Sequence, residues 1–425
     1  MSAAAAVPPR IDSGLRLLSF AGPAGGDLSA HLRRYGSPPY RNGPLLIIPE
    51  VRDAGLTGRG GAAFPVHRKL DAVASAAGET VAVANGAEGE PASDKDKTLL
   101  RVAPHLVLDG LQIAAQAVRA RTAALYVGAS PALLTQLGTA VAERAALGID
   151  RLAVRLIAAP RRFLAGQESA LASVVGGGAA LPSFTPPRVF ERGVNGRPTL
   201  VQNVETLAHL ALIARYGPGW FRQAGLPDEP GTMLCSVHER YSARVTEVPI
   251  GTPIADLVSL TCTQAVLIGG YHGAWLPAGQ LTGLTLSNTA LRPLGGSLGA
   301  GVVAALPAGR CGLAETARLV RYLALESAGQ CGPCLNGLPR IAAAMTRLAA
   351  ARAAATTLTD LRRWAGLTDK RGACQHPDGT VRLVRSALRT FAGELRLHDR
   401  GACSDTGAGP FLPVTAGPAD QEDWS

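Results

Sequence analysis

Aromatic side chains make up 4% of this 425-residue chain, which holds 4 Trp, 7 Tyr and 8 Phe. Its cores must therefore be packed from small and aliphatic side chains. Lysine is also scarce, present only at Lys69, Lys95, Lys97 and Lys370, so arginine carries nearly all of the formal charge of +10. Such an excess favours an acidic partner, an acidic protein or an anionic surface. No dense Lys/Arg run is interleaved with aromatics, which argues against nucleic acid. No stretch approaches the ~18 consecutive apolar residues of a membrane span. The N-terminal "MSAAAAVPPR" lacks the basic region and apolar core of a secretory signal. Seven cysteines at irregular spacing do not make a disulfide framework in so long a chain. The expectation is a cytoplasmic protein with no membrane span of its own.

A chain of this length exceeds one compact core, and its texture divides it. Residues 1–44 are rich in Gly, Pro, Ser and Ala and read as an arm with one helical candidate, "DLSAHLRRYG". From 45 to 230, short apolar runs such as "VAVAN" (81–85) and "ALYVGA" (124–129) alternate with helical ones such as 104–120. That alternation predicts an α/β layer structure with a parallel sheet. Residues 231–309 turn to strands and turns, a small β-rich module. From 310 to 400 helices dominate, with Leu338, Ile341, Met345 and Leu348, then Val381, Val384, Leu388, Phe391 and Leu395, at helical spacing. Residues 401–425 read as a flexible tail.

"GLTGRGGAAFP" (55–65) is the strongest local signal. Its small residues permit a sharp turn and close approach to a ligand, and successive N–H groups can form an anion nest beside the Arg59 guanidinium. The spacing matches neither the dinucleotide fingerprint nor the P-loop. A strand ending at Asn85 runs into Glu88, Glu90, Asp94 and Asp96, where open α/β sheets place their ligands. "NVETL" (203–207) is a further polar cluster at a helix start.

"GLTGRGGAAFP…K", "NGAEGEP…KD", "AGQESAL", "GRPTLVQNVETL", "PIGT" and "ESAGQCGPC" follow one another in the order seen in another group of proteins. The chain resembles, from about Gly55 to Phe391, the NADH-oxidising flavoprotein subunit of respiratory complex I and of related hydrogenases and formate dehydrogenases. The resemblance implies a Rossmann-like FMN-binding α/β domain, a ubiquitin-like β-grasp (SLBB-type) module and a C-terminal helical bundle with an iron–sulfur cluster. It implies that Gly58, Arg59, Gly60, Gly61 and Ala62 form the FMN loop, with Arg59 near the phosphate or ribityl chain. Phe64, Lys69, Asn85, Glu88, Gly166, Gln167, Glu168, Gln202, Asn203 and Thr206 would complete the cofactor site. Glu88, Glu90 and Glu168 are the implied catalytic carboxylates, with Glu90 towards the nicotinamide. Departures fall at Ala87, Phe163, Ala165 and Ala72, and at Arg188, where the family has an aromatic that helps to hold NADH.

The family's cluster motif needs four cysteines. Here Cys331, Cys334 and Cys374 match three, and Ala328 stands in the first position. From the residues alone four readings stay open: a [4Fe–4S] or [3Fe–4S] cluster on three thiolates, zinc completed by His376, a redox dithiol, and a site that holds nothing. Cys403 is a weak fourth candidate, and Cys311 lies too far along its helix. Cys235 and Cys262 read as buried small hydrophobes. The resemblance then implies hydride transfer from NADH to FMN and single-electron exit through the cysteine site to a ferredoxin or [2Fe–2S] protein. A membrane-bound reductase complex at the inner face of the membrane would be a further partner. The alternative is a non-catalytic electron-transfer adaptor.

Overall fold

The computed structural model describes residues 16–19, 26–41, 43, 46–128, 130–351, 353, 356–407 and 409–414. The rest of the arm and tail, and Ala129 at the end of one expected strand, lie outside the described residues.

Four parallel strands, β1 (Thr80–Gly86), β2 (Ala120–Val127), β3 (Val154–Ala158) and β4 (Thr199–Asn203), form the first sheet in the order β3-β2-β1-β4. Around it run α1 (Leu28–Tyr35), α2 (Ile47–Ala54), α3 (Val66–Ala74), α4 (Lys95–Val102), α5 (Pro104–Ala117), α6 (Pro131–Ala146), α7 (Glu168–Val175) and α8 (Val204–Phe221). The run "VAVA" is buried on both faces, as a parallel strand between helical layers must be. Val81 and Val83 pack with Leu171 and Val175 of α7, while Ala82 and Ala84 face the core shared with α5 and α8. Small residues let those layers close: a Cβ added at Gly110 of α5 would stand 2.0 Å from the Leu207 carbonyl oxygen of α8.

Strand order reverses between β1 and β4, because the chain leaves β1 for β2 on one side and returns as β4 on the other. Asn85 and Asn203 face each other in register at the carboxyl ends of those two strands. This crevice is where open α/β sheets bind ligands.

A second sheet carries β5 (Thr232–Glu239), β6 (Ser242–Pro249), β7 (Thr263–Ile268), β8 (Ala274–Pro277) and β9 (Val302–Pro307) in the order β6-β5-β9-β7-β8. A hairpin opens the module, and its last strand returns parallel to the first in the middle of the sheet, a β-grasp arrangement. The helices α9 (Gly312–Leu325), α10 (Leu338–Ala349), α11 (Thr357–Thr368), α12 (His376–Thr390) and α13 (Ala392–His398) complete the chain, with one π-helical turn at Pro333–Gly337. The two predicted apolar stripes are buried except for the half-buried Leu388, the second shared by α12 and α13 because the chain kinks at Phe391.

The described parts of the arm and tail are docked, and the helical candidate of the arm is α1. The N–H groups of Arg16, Leu17 and Leu18 all donate to Glu247 Oε2, at 2.9, 2.8 and 3.0 Å. His31 of α1 meets the buried Asp109 carboxylate at 2.8 Å. In the tail, Thr406 N–H donates to Gly309 O at 2.9 Å and Leu412 N–H to Glu315 Oε1 at 2.8 Å. A Gly/Pro/Ala-rich composition forecasts a lack of regular structure, but irregular backbone can still find buried partners. Cys262 is exposed, against the expectation of burial; Cys235 is buried as expected.

Candidate functional site: a cleft and a cysteine cluster

The crevice between β1 and β4 opens into two adjoining cavities, of 110 and 370 Å³, that share Gly60, Ala62, Asn85, Gly166 and Asn203. Every cofactor candidate from Gly58 to Thr206 lines one or both of them. Gly61 adopts φ of 112°, and its backbone bridges to Gly299 of the second sheet's last turn, so the loop is pinned across the module boundary. Gly166 lies so close to β1's extension that a Cβ there would be 2.6 Å from the Ala87 carbonyl oxygen.

Two polar atoms in this wall are buried with no hydrogen-bond partner, Gln202 Nε2 and Glu90 Oε1. Leaving such a group unmet costs about 1–3 kcal/mol. Gln202 borders the smaller cavity and Glu90 the larger, so an elongated, heteroatom-rich ligand spanning the two would lie beside both, and the residues present fit a flavin nucleotide. At the mouth stand Phe64, 46% exposed, and Lys69, which pairs with Glu168 and donates to Val201 O at 3.1 Å. Glu90 Oε2 accepts the Tyr271 N–H at 2.8 Å. Burial pushes the Glu90 carboxyl up to about 8, so it holds its proton at neutral pH.

Several candidate side chains do structural work instead of facing a ligand. The Arg59 guanidinium, expected on a phosphate, is turned into the interface with the second sheet. It donates to Thr232 O and Pro230 O, each at 3.2 Å, and to Thr57 Oγ1 at 2.9 Å. A buried guanidinium has to satisfy its donors, and free carbonyls at the start of β5 do so. The Gly58 N–H is likewise spent inside the loop, on Phe64 O at 2.9 Å, so what the loop offers a ligand is the bare Gly60–Ala62 backbone along the cavities. Glu88 caps α4, accepting from the N–H groups of Asp96 and Lys97 and from Ser93 Oγ. Burial, then the nearby Asp96, raises its pKa. Gln167 caps α7 through the N–H groups of Ser169 and Ala170, both at 2.9 Å. Thr206 Oγ1 accepts the Arg59 N–H at 2.8 Å, and the Asn85 amide donates to Gly166 O at 2.9 Å. These residues shape the cleft more than they decorate it.

Arg188 is exposed and lines neither cavity. Phe163 supplies an aromatic wall instead, edge-on to His272 with centroids 4.8 Å apart. His272 and His376 also line the larger cavity and join through ring nitrogens 3.0 Å apart. Burial holds both imidazoles below the usual histidine range, so both are neutral at pH 7. The sequence carries no local signal for His272, which comes from a turn of the second sheet.

Cys331 and Cys334 lie with their sulfurs 3.6 Å apart, and Cys374 is near enough to raise the Cys334 thiol electrostatically. Burial first, then the Cys331 thiol, pushes Cys334 up to about 12, the mark of thiols crowded together away from water. Thiols from the π-turn, from the residues just before it and from the loop ahead of α12 are donors that an iron–sulfur cluster accepts, and Ala328 would leave one iron without a thiolate. His376 is not a fourth ligand: its Nδ1 meets His272 and its Nε2 meets Leu323 O at 2.8 Å. The zinc reading that relied on it therefore loses its ligand. Cys403 is not one either, because its sulfur lies beside Cys311.

Comparison with known proteins accords with this geometry. Residues 51–212 match the family described as Nuo51 FMN-binding domain, and residues 314–398 match the NADH-ubiquinone oxidoreductase-F iron-sulfur binding region. The F subunit of NADH-quinone oxidoreductase in Mycobacterium tuberculosis (strain H37Rv) is 30% identical over 398 residues, 87% of each chain. The chain belongs to the family of NADH-quinone oxidoreductase F subunits. The Rhizobium meliloti protein of the same name, numbered 2, is 29% identical over 375 residues, 84% of this chain and 89% of that protein. A crystal structure of NAD+-reducing [NiFe]-hydrogenase in the H2-reduced state matches with a TM-score of 0.78 and 30% identity over 83% of this chain, which spans 62% of that one. The family is one of FMN-binding, NADH dehydrogenase-like oxidoreductases with an iron–sulfur binding region.

Two expected outcomes follow for the site. Because Glu90 has a raised pKa in the fold, its contribution to stability is complete below about pH 4.5 and is lost as pH rises towards 8. Melting temperatures of Glu90→Gln and the parent should diverge in favour of the variant across that window; a constant difference would place the carboxylate in contact with solvent. Supplying the missing thiolate with Ala328→Cys should make the reconstituted cluster more air-stable and lower its reduction potential. Unchanged iron retention and potential would show that Ala328 does not face the cluster.

Proposed function

We propose that this chain oxidises NADH against FMN held in the cleft. Electrons would then pass singly through an iron–sulfur site on Cys331, Cys334 and Cys374 to a ferredoxin-like or [2Fe–2S] protein. The observation that carries this reading is the continuity of the two sites. Cys374 is followed directly by Gln375 and His376, both in the wall of the larger cavity, and adjacent Cα atoms are about 3.8 Å apart. The cysteine loop is tied to the same wall, since Glu326 accepts the Phe163 N–H at 2.8 Å.

Bound FMN supplies the conversion of a two-electron donor into single electrons. The protein's own groups bind and orient. The Gly60–Ala62 backbone and Gly166 allow close approach of the ring system. Phe64 offers an exposed face at the mouth, where Lys69 and Glu168 can orient a reduced nicotinamide. The Glu90 carboxyl, protonated at neutral pH, can donate to an acceptor on the bound ligand. The net charge of +10 suits an acidic electron acceptor. Among the described residues no helix is long and apolar enough to cross a membrane, so attachment at the cytoplasmic face would come through partner proteins.

One observation favours the adaptor reading, the absent thiolate at Ala328. Anaerobic stopped-flow separates the two. NADH should bleach the flavin of the reconstituted chain, and the electron paramagnetic resonance signal of the reduced cluster should follow. Bound flavin that NADH does not bleach would give the adaptor reading the lead.

A further inference from the structure

A second group of soft-metal ligands shares no residue with the cysteine site above. The side-chain ligand atoms of Cys311, Glu394, His398 and Cys403 all lie within 4.8 Å of one another. Separate pieces of local structure bring them together. Cys311 is the N-cap of α9, where its sulfur accepts the Ala314 N–H at 3.3 Å. Glu394 and His398 are one turn apart on α13. Cys403 comes from the segment after α13, held there by Ser404 N–H donating to Glu394 Oε1 at 2.8 Å.

The separations suit one ion. His398 Nε2 is 3.5 Å from Cys311 Sγ and 3.1 Å from Glu394 Oε1. A tetrahedral zinc, with bonds of about 2.3 Å to sulfur and 2.0 Å to nitrogen or oxygen, has edges of about 3.6 and 3.3 Å between those donor types. The outer contacts are also those of a ligand set. His398 Nδ1 lies 2.7 Å from the Leu348 carbonyl oxygen. A carbonyl only accepts, so Nδ1 carries the hydrogen and the Nε2 lone pair is left for the group between the thiols. Cys311, Glu394 and His398 are buried while Cys403 is exposed, which leaves an entry route on one side.

We propose that Cys311, His398 and Cys403, with Glu394 as fourth donor, form a structural site for a tetrahedral soft cation, zinc by preference, that fastens the segment after α13 to the start of α9. Two thiolates, an imidazole and a carboxylate are donors that zinc accepts together. Binding forms four metal–ligand bonds and releases the two thiol protons to solvent.

Elemental analysis of the full-length chain, prepared anaerobically with zinc and iron present, tests this. The parent should hold about one zinc besides its iron. Cys403→Ser, at an exposed position, and His398→Gln should each lose the zinc and keep the iron. Cys331→Ser should lose iron and keep zinc. Cobalt(II) titration should give thiolate-to-cobalt absorption in the parent and none in Cys403→Ser. Absence of both zinc and the cobalt spectrum, zinc that disappears only with Cys331→Ser, or a Cys311–Cys403 disulfide found by alkylation and mass spectrometry would each overturn the proposal.

Discussion

A single buried ammonium holds the cleft together. Lys95 Nζ lies 2.7 Å from Asp96 Oδ1 and 2.8 Å from Glu205 Oε2, with 4% of its side chain exposed. Burial alone would favour the neutral amine, but Asp96 and Glu205 outweigh it and raise its pKa further. Each carboxylate then spends its second oxygen elsewhere: Asp96 accepts the Asn203 amide at 2.7 Å, and Glu205 accepts the Leu234 N–H at 2.8 Å. The first turns of α4 and α8, the end of β4 and the start of the second sheet are thus locked to one charge. Removing one member of such a group leaves the others uncompensated in the interior, which is far costlier than never burying them. Arg59 and the Gly61–Gly299 bridge brace the same junction from the loop side.

That constraint explains why a glycine-rich loop can serve as a rigid wall. Its backbone is fixed by the second sheet at Gly61–Gly299, so the close approach that small residues permit is held at one place along the crevice. It also explains how one cavity can be lined by turns of the first sheet, the second sheet and the helical bundle together. Gly269 and His272 come from the second sheet, and Gln375 and His376 from the bundle. The cleft is a product of the assembly of all three parts, and the cysteine site adjoins it for the same reason.

Much of this was legible beforehand because local chemistry spoke for it. The both-face burial of "VAVA", the polar residues at the strand ends and the small residues of 55–65 each have a meaning independent of distant contacts. Directions did not. Spacing shows that Arg59 sits in a tight loop but not on which side its guanidinium leaves, and the unmet carbonyls of Thr232 and Pro230 decided that. His272 lay unread in a turn far along the chain. Linear spacing puts Cys311 a helix away from Cys331 and leaves Cys403 in the tail, although the two come together with two residues of α13. Proximity created by the packing of helix ends leaves no trace in linear spacing.

The central claim is that one continuous wall joins the flavin cleft to the cysteine site. An anaerobic crystal structure of the chain loaded with FMN and iron, with anomalous diffraction at the iron edge, tests it most directly. The account predicts the ring system between the Gly60–Ala62 backbone and Gly166, and an iron signal bounded by Cys331, Cys334 and Cys374 on the far side of Gln375–His376. Flavin bound outside the β1–β4 crevice, or no iron over the three thiols, would contradict it.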